Sequence, residues 1–339
     1  MFGSEAELEE ALSRPHEAVI EMFRTLPGDV MLLGAGGKMG LSLARMARRA
    51  ADAAGSKRRI IAVSRFQSLN STELFHEAGI ETITCDLLNE AMVNQLPDAV
   101  NVIVMAGMKF GATGSEWLTW AMNAGLPFHV CRHFRRSRLT VFSTGNVYGL
   151  TPMTEGGSRE ADELHPTGEY AMSCLGRERM YEYHSRTSQI PVSLIRLNYA
   201  CDLRYGVLVD LAQKVLHNQT IDLSMSYFNT IWQGDANAWS LLMLERGSVP
   251  PTVINITGPE LLSVKEVCEE LGRLLYRQVT FCGKESETSL ISNTEIARRI
   301  MPAPVMTASE LIAGVAHWIQ NGGRLLSKPT HFESRDGKF

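Results

Sequence analysis

Between residues 29 and 200 the chain repeats one alternation: a short uninterrupted apolar run, then a stretch with helical spacing of apolar positions. The runs fall at 30–33, 60–63, 100–105, 139–142 and 192–195, with a weaker one at 80–85, and helical patterns occupy 39–54, 117–134 and 170–185. Apolar runs of four to six residues without polar alternation suit strands covered on both faces, and so a parallel sheet between helices. Right-handed strand–helix–strand connections then predict a doubly wound α/β fold.

Two regions flank this unit. Residues 1–28 read as an N-terminal helical extension, with Ser4 and Glu7 spaced as a capping box and Pro27-Gly28 as the stop. It is expected to pack on the outside of the domain. Beyond residue 200 the regularity weakens. Helices are expected at 207–216, 236–244, 264–275 and 308–319, with short strands near 253–256 and 278–281. Residues 29–200 thus form the main domain, with return strands expected near 228–256. Residues 201–339 are mainly a smaller C-terminal lobe.

Composition narrows the partners. The 339 residues are 45% hydrophobic, and 33 basic against 37 acidic side chains leave a formal charge of −4. A weakly acidic chain without a long basic run is a poor match for nucleic acid or an anionic membrane. No apolar stretch approaches the roughly 18 residues of a spanning helix. The acidic start lacks the pattern of a signal peptide. Six cysteines without CxxC spacing and nine histidines without HxxxH or HExxH pairing predict free thiols, a reducing cytoplasmic setting and no metal. The cluster Arg132, His133, Arg135 and Arg136 reads as a solvated helix end, where cations complement the dipole.

The first strand runs directly into Gly34-Ala35-Gly36-Gly37-Lys38-Met39-Gly40, which opens the first helix of the main domain. Glycines at 34, 37 and 40 permit a tight turn, backbone approach to a pyrophosphate and close helix–strand contact, and the helix N-terminus attracts phosphate. In this strand–turn–helix context the loop predicts a dinucleotide site and a Rossmann-type sheet. The second strand ends Val63-Ser64-Arg65, where an NAD-preferring site usually carries an acid for the ribose 2′-hydroxyl. Arg65 suits a 2′-phosphate instead, with Lys38 as a second cation. NADP is therefore the expected cofactor, with NAD as the alternative.

Further on stand Ser143-Thr144-Gly145-Asn146-Val147-Tyr148-Gly149 and, 26 residues past Thr144, Tyr170. With the glycine loop, these motifs resemble the extended short-chain dehydrogenase/reductase family, the NAD(P)-dependent epimerase/dehydratases, over roughly residues 29–320. By that resemblance Asp86 and Leu87 lie beside the adenine. Ala106 and Gly107 end the fourth strand at the cofactor, and Asn123 is the helical asparagine that follows. Arg196-Leu197-Asn198, the segment 231–235 ending in Asp235, and residues 255–260 resemble later family segments. The resemblance implies hydride transfer at a carbon bearing a hydroxyl or carbonyl. Thr144 would hydrogen-bond the substrate oxygen and Tyr170 would exchange its proton. It also implies a homodimer through helices 117–134 and 170–185, with Leu175, Met180 and Tyr183 as bulk.

Three departures stand out. A phenol with a reference pKa near 10 needs a cation to act near neutrality, and the family supplies a lysine four residues after the tyrosine. Cys174 occupies that position. Arg177 shares the helix face but starts about 10 Å along the axis, and Lys109 is the other possible source of charge. Gly145-Asn146 replaces the Asp-Glu pair of sugar-nucleotide dehydratases. Phe228 stands where nucleotide-sugar epimerases carry a diphosphate-binding arginine. A small hydroxylated or carbonyl substrate is expected rather than a nucleotide sugar, with Lys109, Asn146, Asn198, Tyr199 and Arg204 as candidate pocket residues. Two classes stay open: an oxidoreductase or epimerase, including an isomerase with no net redox change, and a dinucleotide-binding sensor or scaffold without turnover.

Overall fold

The computed structural model describes residues 2–67, 72–109 and 114–338. Seven parallel strands form the central sheet: β1 (Val30–Leu33), β2 (Ile60–Ser64), β3 (Glu81–Thr84), β4 (Asn101–Val104), β5 (Arg138–Thr144), β6 (Val192–Leu197) and β7 (Thr252–Ile256). Their spatial order is β7-β6-β5-β4-β1-β2-β3. Leu32 of β1 pairs in register with Ala62 of β2 and Ile103 of β4. The order reverses between β1 and β4, and in such sheets ligands bind in the crevice beyond the strand ends at that reversal.

The inner strands are buried on both faces, which explains their unbroken apolar sequence. Val30 and Leu32 face one core with Phe23, Leu43 and Ala47, while Met31 and Leu33 face another with Val130 and Tyr181. The strand expected near residue 253 is β7, which extends the sheet beside β6. The one near 280 is only Phe281–Cys282, paired with Ile221–Asp222 away from the main sheet. The lobe gathers helices Val207–Leu216, Val264–Leu275 and Ala308–Gln320 around a separate apolar cluster.

Two expectations change. The N-terminal extension is not an outer layer. Helix Glu5–Leu12 buries Leu8 and Leu12 in the lobe cluster, while helix Glu17–Thr25 buries Val19 and Phe23 in the sheet-side core. Glu9 pairs with both Arg45 of the main domain and Arg204 of the lobe, so the extension ties the two together. Its capping box is half made: Ser4 accepts from Glu7 N, but the Glu7 carboxylate accepts from Gly3 N instead.

The helix expected over 117–134 is Glu116–Trp120, a π-helical turn Ala121–Gly125 and Leu126–His133. Pro127 cannot donate to the Asn123 carbonyl four residues back, and Arg177 Nε approaches that oxygen at 3.4 Å. Such turns gather at functional sites, and this one carries Asn123.

A buried polar network fixes the sheet to the helix Gly168–Ser188. Arg196 pairs with Glu178 at 2.8 Å and donates to the Tyr148 hydroxyl, which donates to Asn255, while Ser143 donates to Glu178. Leaving one of two such buried charges unpaired typically costs about 3–5 kcal/mol. Among the described residues no helix is long and apolar enough to cross a membrane.

Candidate active site

The glycine loop, residues 34–39, leaves β1 as a turn and enters helix Gly40–Ala53. Gly34 has φ +88°, and a Cβ there would lie 2.5 Å from the Ala106 backbone nitrogen. A Cβ on Gly40 would overlap the Ala35 carbonyl, and one on Gly36 would meet Ser64 Oγ at 2.5 Å. Backbone packing therefore demands glycine at Gly34 and Gly40, whereas at Gly36 the Ser64 side chain would have to turn away. Gly37 is different: a Cβ would make only ordinary contact, with the Gly34 carbonyl at 3.5 Å, and the residue is exposed to the cleft.

That cleft, of about 520 Å³, is lined by Gly34 to Gly37, Ser64, Arg65, Asp86, Leu87, Ala106 and Gly107, with Met105 and Met122. Arg65 is exposed at its rim. Asp86 is half-buried and accepts from Leu88 N. Met39 is buried beneath the loop. Lys38 does not join Arg65. Its ammonium turns toward the lobe, donates to the Ala200 carbonyl at 2.9 Å and lies 3.8 Å from the Tyr205 ring centroid. Burial pulls its pKa down to about 8, with Asp202 opposing.

Thr144 ends β5, and Tyr170 and Cys174 lie one turn apart on the helix Gly168–Ser188. The Tyr170 phenol lies close enough to the Thr144 hydroxyl and the Cys174 thiol for both to bear on its titration. Burial pushes the phenol well above the ordinary tyrosine range, the neighbouring thiol adds to this, and the Arg177 guanidinium and the Thr144 hydroxyl oppose it. Cys174 is fully buried and its thiol is likewise raised by burial.

Arg177 folds back beneath the end of β4. Nη1 donates to the Phe142 carbonyl at 2.7 Å, Nη2 donates to Asn123 Oδ1, and a Cβ on Gly107 would overlap the guanidinium. Asn123 also accepts from Met108 N and donates to Ser173 Oγ. This reach was not legible from helical spacing, because it depends on a chain folding back toward its own N-terminus and on the π-helical turn that receives it.

Lys109 Nζ donates to the Thr330 carbonyl at 3.2 Å and lies 5.9 Å from the Tyr170 ring centroid. Its pKa falls to about 8 through burial and then the charge of Lys38. Asn146 donates to Thr144 Oγ1 at 2.9 Å. Asn198 is buried against Asn229, and Tyr199, at φ +48°, accepts from Thr230 through its carbonyl. Arg204 lies apart from this group, ion-paired with Asp202 and Glu9. Arg132 reaches Glu90, as a solvated helix-end cation does. Phe228, fully buried, packs beside Phe332 with ring centroids 6.3 Å apart.

Residues 30–201 match the sequence model of the NAD dependent epimerase/dehydratase family. No curated protein matches the sequence. Solved structures share the fold. One is UDP-glucuronic acid 4-epimerase from Bacillus cereus in complex with NAD, at 17% identity and TM-score 0.70, covering 86% of this chain and 96% of that one. The dTDP-glucose 4,6-dehydratase DesIV from Streptomyces venezuelae, with NAD and TYD bound, has 16% identity and TM-score 0.71, covering 86% and 97%. The UDP-Glc/GlcNAc 4-epimerase from Campylobacter jejuni has 18% identity and TM-score 0.70, covering 87% and 99%.

Proposed function

Because this chain belongs to the NAD dependent epimerase/dehydratase family, we propose that it is an oxidoreductase or epimerase acting on a small hydroxylated or carbonyl substrate, with Tyr170 as acid/base and NADP as the preferred cofactor. The observation that carries this reading is Thr144 at the end of β5 beside Tyr170, on a sheet whose glycine loop opens onto a cleft. Gly37 supports the cofactor: neither packing nor φ requires glycine there, whereas backbone approach of a pyrophosphate does. The exposed backbone at Gly36 and Gly37 would hold that group, Asp86 and Leu87 the adenine end, and Arg65 a 2′-phosphate through a charge-assisted pair. A bound nicotinamide dinucleotide supplies hydride transfer.

The chain's own residues handle the proton. Thr144 holds the substrate oxygen, Asn146 orients Thr144, and Tyr170 gives or takes the proton. Arg177 supplies the positive field that the family's lysine otherwise provides, acting on Tyr170 from beneath Gly107. The small-substrate reading rests on Phe228 and Phe332, two buried aromatic rings that offer no cation to a diphosphate. A homodimer would bury the exposed Trp117, Trp120, Phe128, Met172 and Tyr183, which lie on the two helical segments facing away from the sheet.

Purified protein mixed with NADPH or NADH and panels of polyols, sugar acids and aldehydes tests the activity by nicotinamide absorbance. Turnover lost in Tyr170→Phe supports the reading. A second reading, a dinucleotide-binding module without turnover, is favoured by one observation: burial and Cys174 both hold the Tyr170 phenol protonated. Cofactor-induced stabilisation with no substrate turnover and a silent Tyr170→Phe would favour that alternative.

A further inference from the structure

Residues 326–338 adopt neither helix nor strand, yet they are fastened along their length. Leu326 N donates to the Arg204 carbonyl, and Thr330 donates to Asp210 Oδ2 through both its backbone nitrogen, at 2.7 Å, and its hydroxyl, at 2.6 Å. The Thr330 carbonyl accepts from Lys109, the ammonium that lies near the Tyr170 ring. Phe332 is buried beside Phe228, and Arg335 donates to the Ser224 and Thr288 carbonyls at 2.8 and 2.9 Å. At the far end Gly337, φ +72°, crosses Gly168, φ +81°, so closely that a Cβ on either would overlap the backbone of the other segment. Gly168 precedes Tyr170 by two residues.

The segment therefore leaves the lobe at Asp210 and Phe228, touches the loop after β4 at Lys109, and ends on the start of the tyrosine helix. We propose that residues 326–338 are a strap across the substrate side of the site, and that the strap sets the size of molecule the site admits. This rests on the small-substrate reading. The strap places a main-chain carbonyl on Lys109 and an aromatic ring on Phe228, where a larger ligand would extend from Tyr170 toward the lobe. No residue of 326–338 lines the cofactor cleft, so the strap leaves it open.

Two variants test the strap: a chain ending at Leu325, and the full chain with Arg335→Ala and Gly337→Ala, which unfastens the far end while keeping Phe332. Hydrogen exchange over 326–338 reports release in the second, and circular dichroism checks both folds. The probe is UDP-glucuronic acid with NADP, followed by calorimetry. The expected result is no saturable binding to the parent chain and at least about tenfold tighter binding to each folded variant, equivalent to about 1.4 kcal/mol. If the released variants bind no better than the parent, the strap does not set ligand size and the inference fails, while the small-substrate reading stands. If the parent chain itself binds UDP-glucuronic acid tightly, the small-substrate reading fails, and the size-setting role fails with it. Should the shortened chain not fold, the double variant decides.

Discussion

The glycine loop and the tyrosine helix are built by different means. The loop works through backbone: a glycine at φ +88°, close approach of Gly34 to Ala106 and of Gly40 to Ala35, and an exposed main chain at Gly36 and Gly37. The helix works through side chains, and there the pattern has moved. Cys174 stands at the lysine position, and two cations lie near Tyr170: Arg177, held by Phe142 and Asn123, and Lys109. A backbone cradle tolerates little change, because Gly34 and Gly40 answer steric demands of the fold. A field on a phenol tolerates more, since charge acts over several ångströms and another residue can supply it.

The sharpest break of this comparison is Gly37→Val, which should abolish cofactor-induced thermal stabilisation, weakening binding by about 100-fold or more. An unchanged shift in the folded variant would remove the loop from the phosphate site. Next comes the helix. Tyr170→Phe should cut turnover by about 10²–10⁴-fold, whereas Cys174→Lys should leave it flat or lower, because Arg177 already provides the charge. A large gain on adding the lysine would mean that Arg177 does not reach Tyr170 electrostatically.

Arg177→Met removes a cation that favours the ionised phenol, so the tyrosine's apparent pKa should rise. The matching limb of the pH–rate profile should move to higher pH, with Arg177→Lys restoring part of the shift. A purely structural arginine would lower stability and leave the profile in place. Smaller still is cofactor choice. NADPH should bind the parent chain more tightly than NADH, and Arg65→Asp should reverse the order by roughly 1.5–3 kcal/mol in titration calorimetry.

The least effect concerns stability away from the crevice. Burial raises the Asp235 carboxyl to about 6 although it accepts from Val305 N. The folded chain therefore holds this proton more tightly than the unfolded chain, and its contribution to stability falls as pH rises from about 4 to 6. Asp235→Asn should flatten urea-melt stability across that window, and an unchanged slope would discount the shift.

Legibility in the sequence followed the range of the interactions. The strands β1, β4, β5 and β6 could be read because burial on both faces leaves unbroken apolar runs, and the glycine loop because local sterics require its residues. Helix ends fell within a few residues of those expected, as at Val207–Leu216 and Val264–Leu275. The division of residues 117–134 by a π-helical turn was not readable, since it depends on Arg177, from a distant helix, reaching the Asn123 carbonyl to which Pro127 cannot donate. Arg204 and Lys38 were named from sequence as pocket and phosphate cations. Their partners, Glu9, Asp202 and the Ala200 carbonyl, are brought to them by the fold.

By itself, the sequence determined the doubly wound sheet and the glycine loop that opens its first helix, because period, turn chemistry and glycine sterics are local properties. Tertiary structure alone decided that Arg177 and Lys109 come near Tyr170, that Leu8 and Leu12 of the N-terminal extension enter the lobe core, and that residues 326–338 cross from Asp210 to Gly168. These outcomes depend on side chains separated by up to hundreds of residues reaching a common point. No periodicity records such meetings, since each becomes favourable only after the sheet and lobe have set the distance between them.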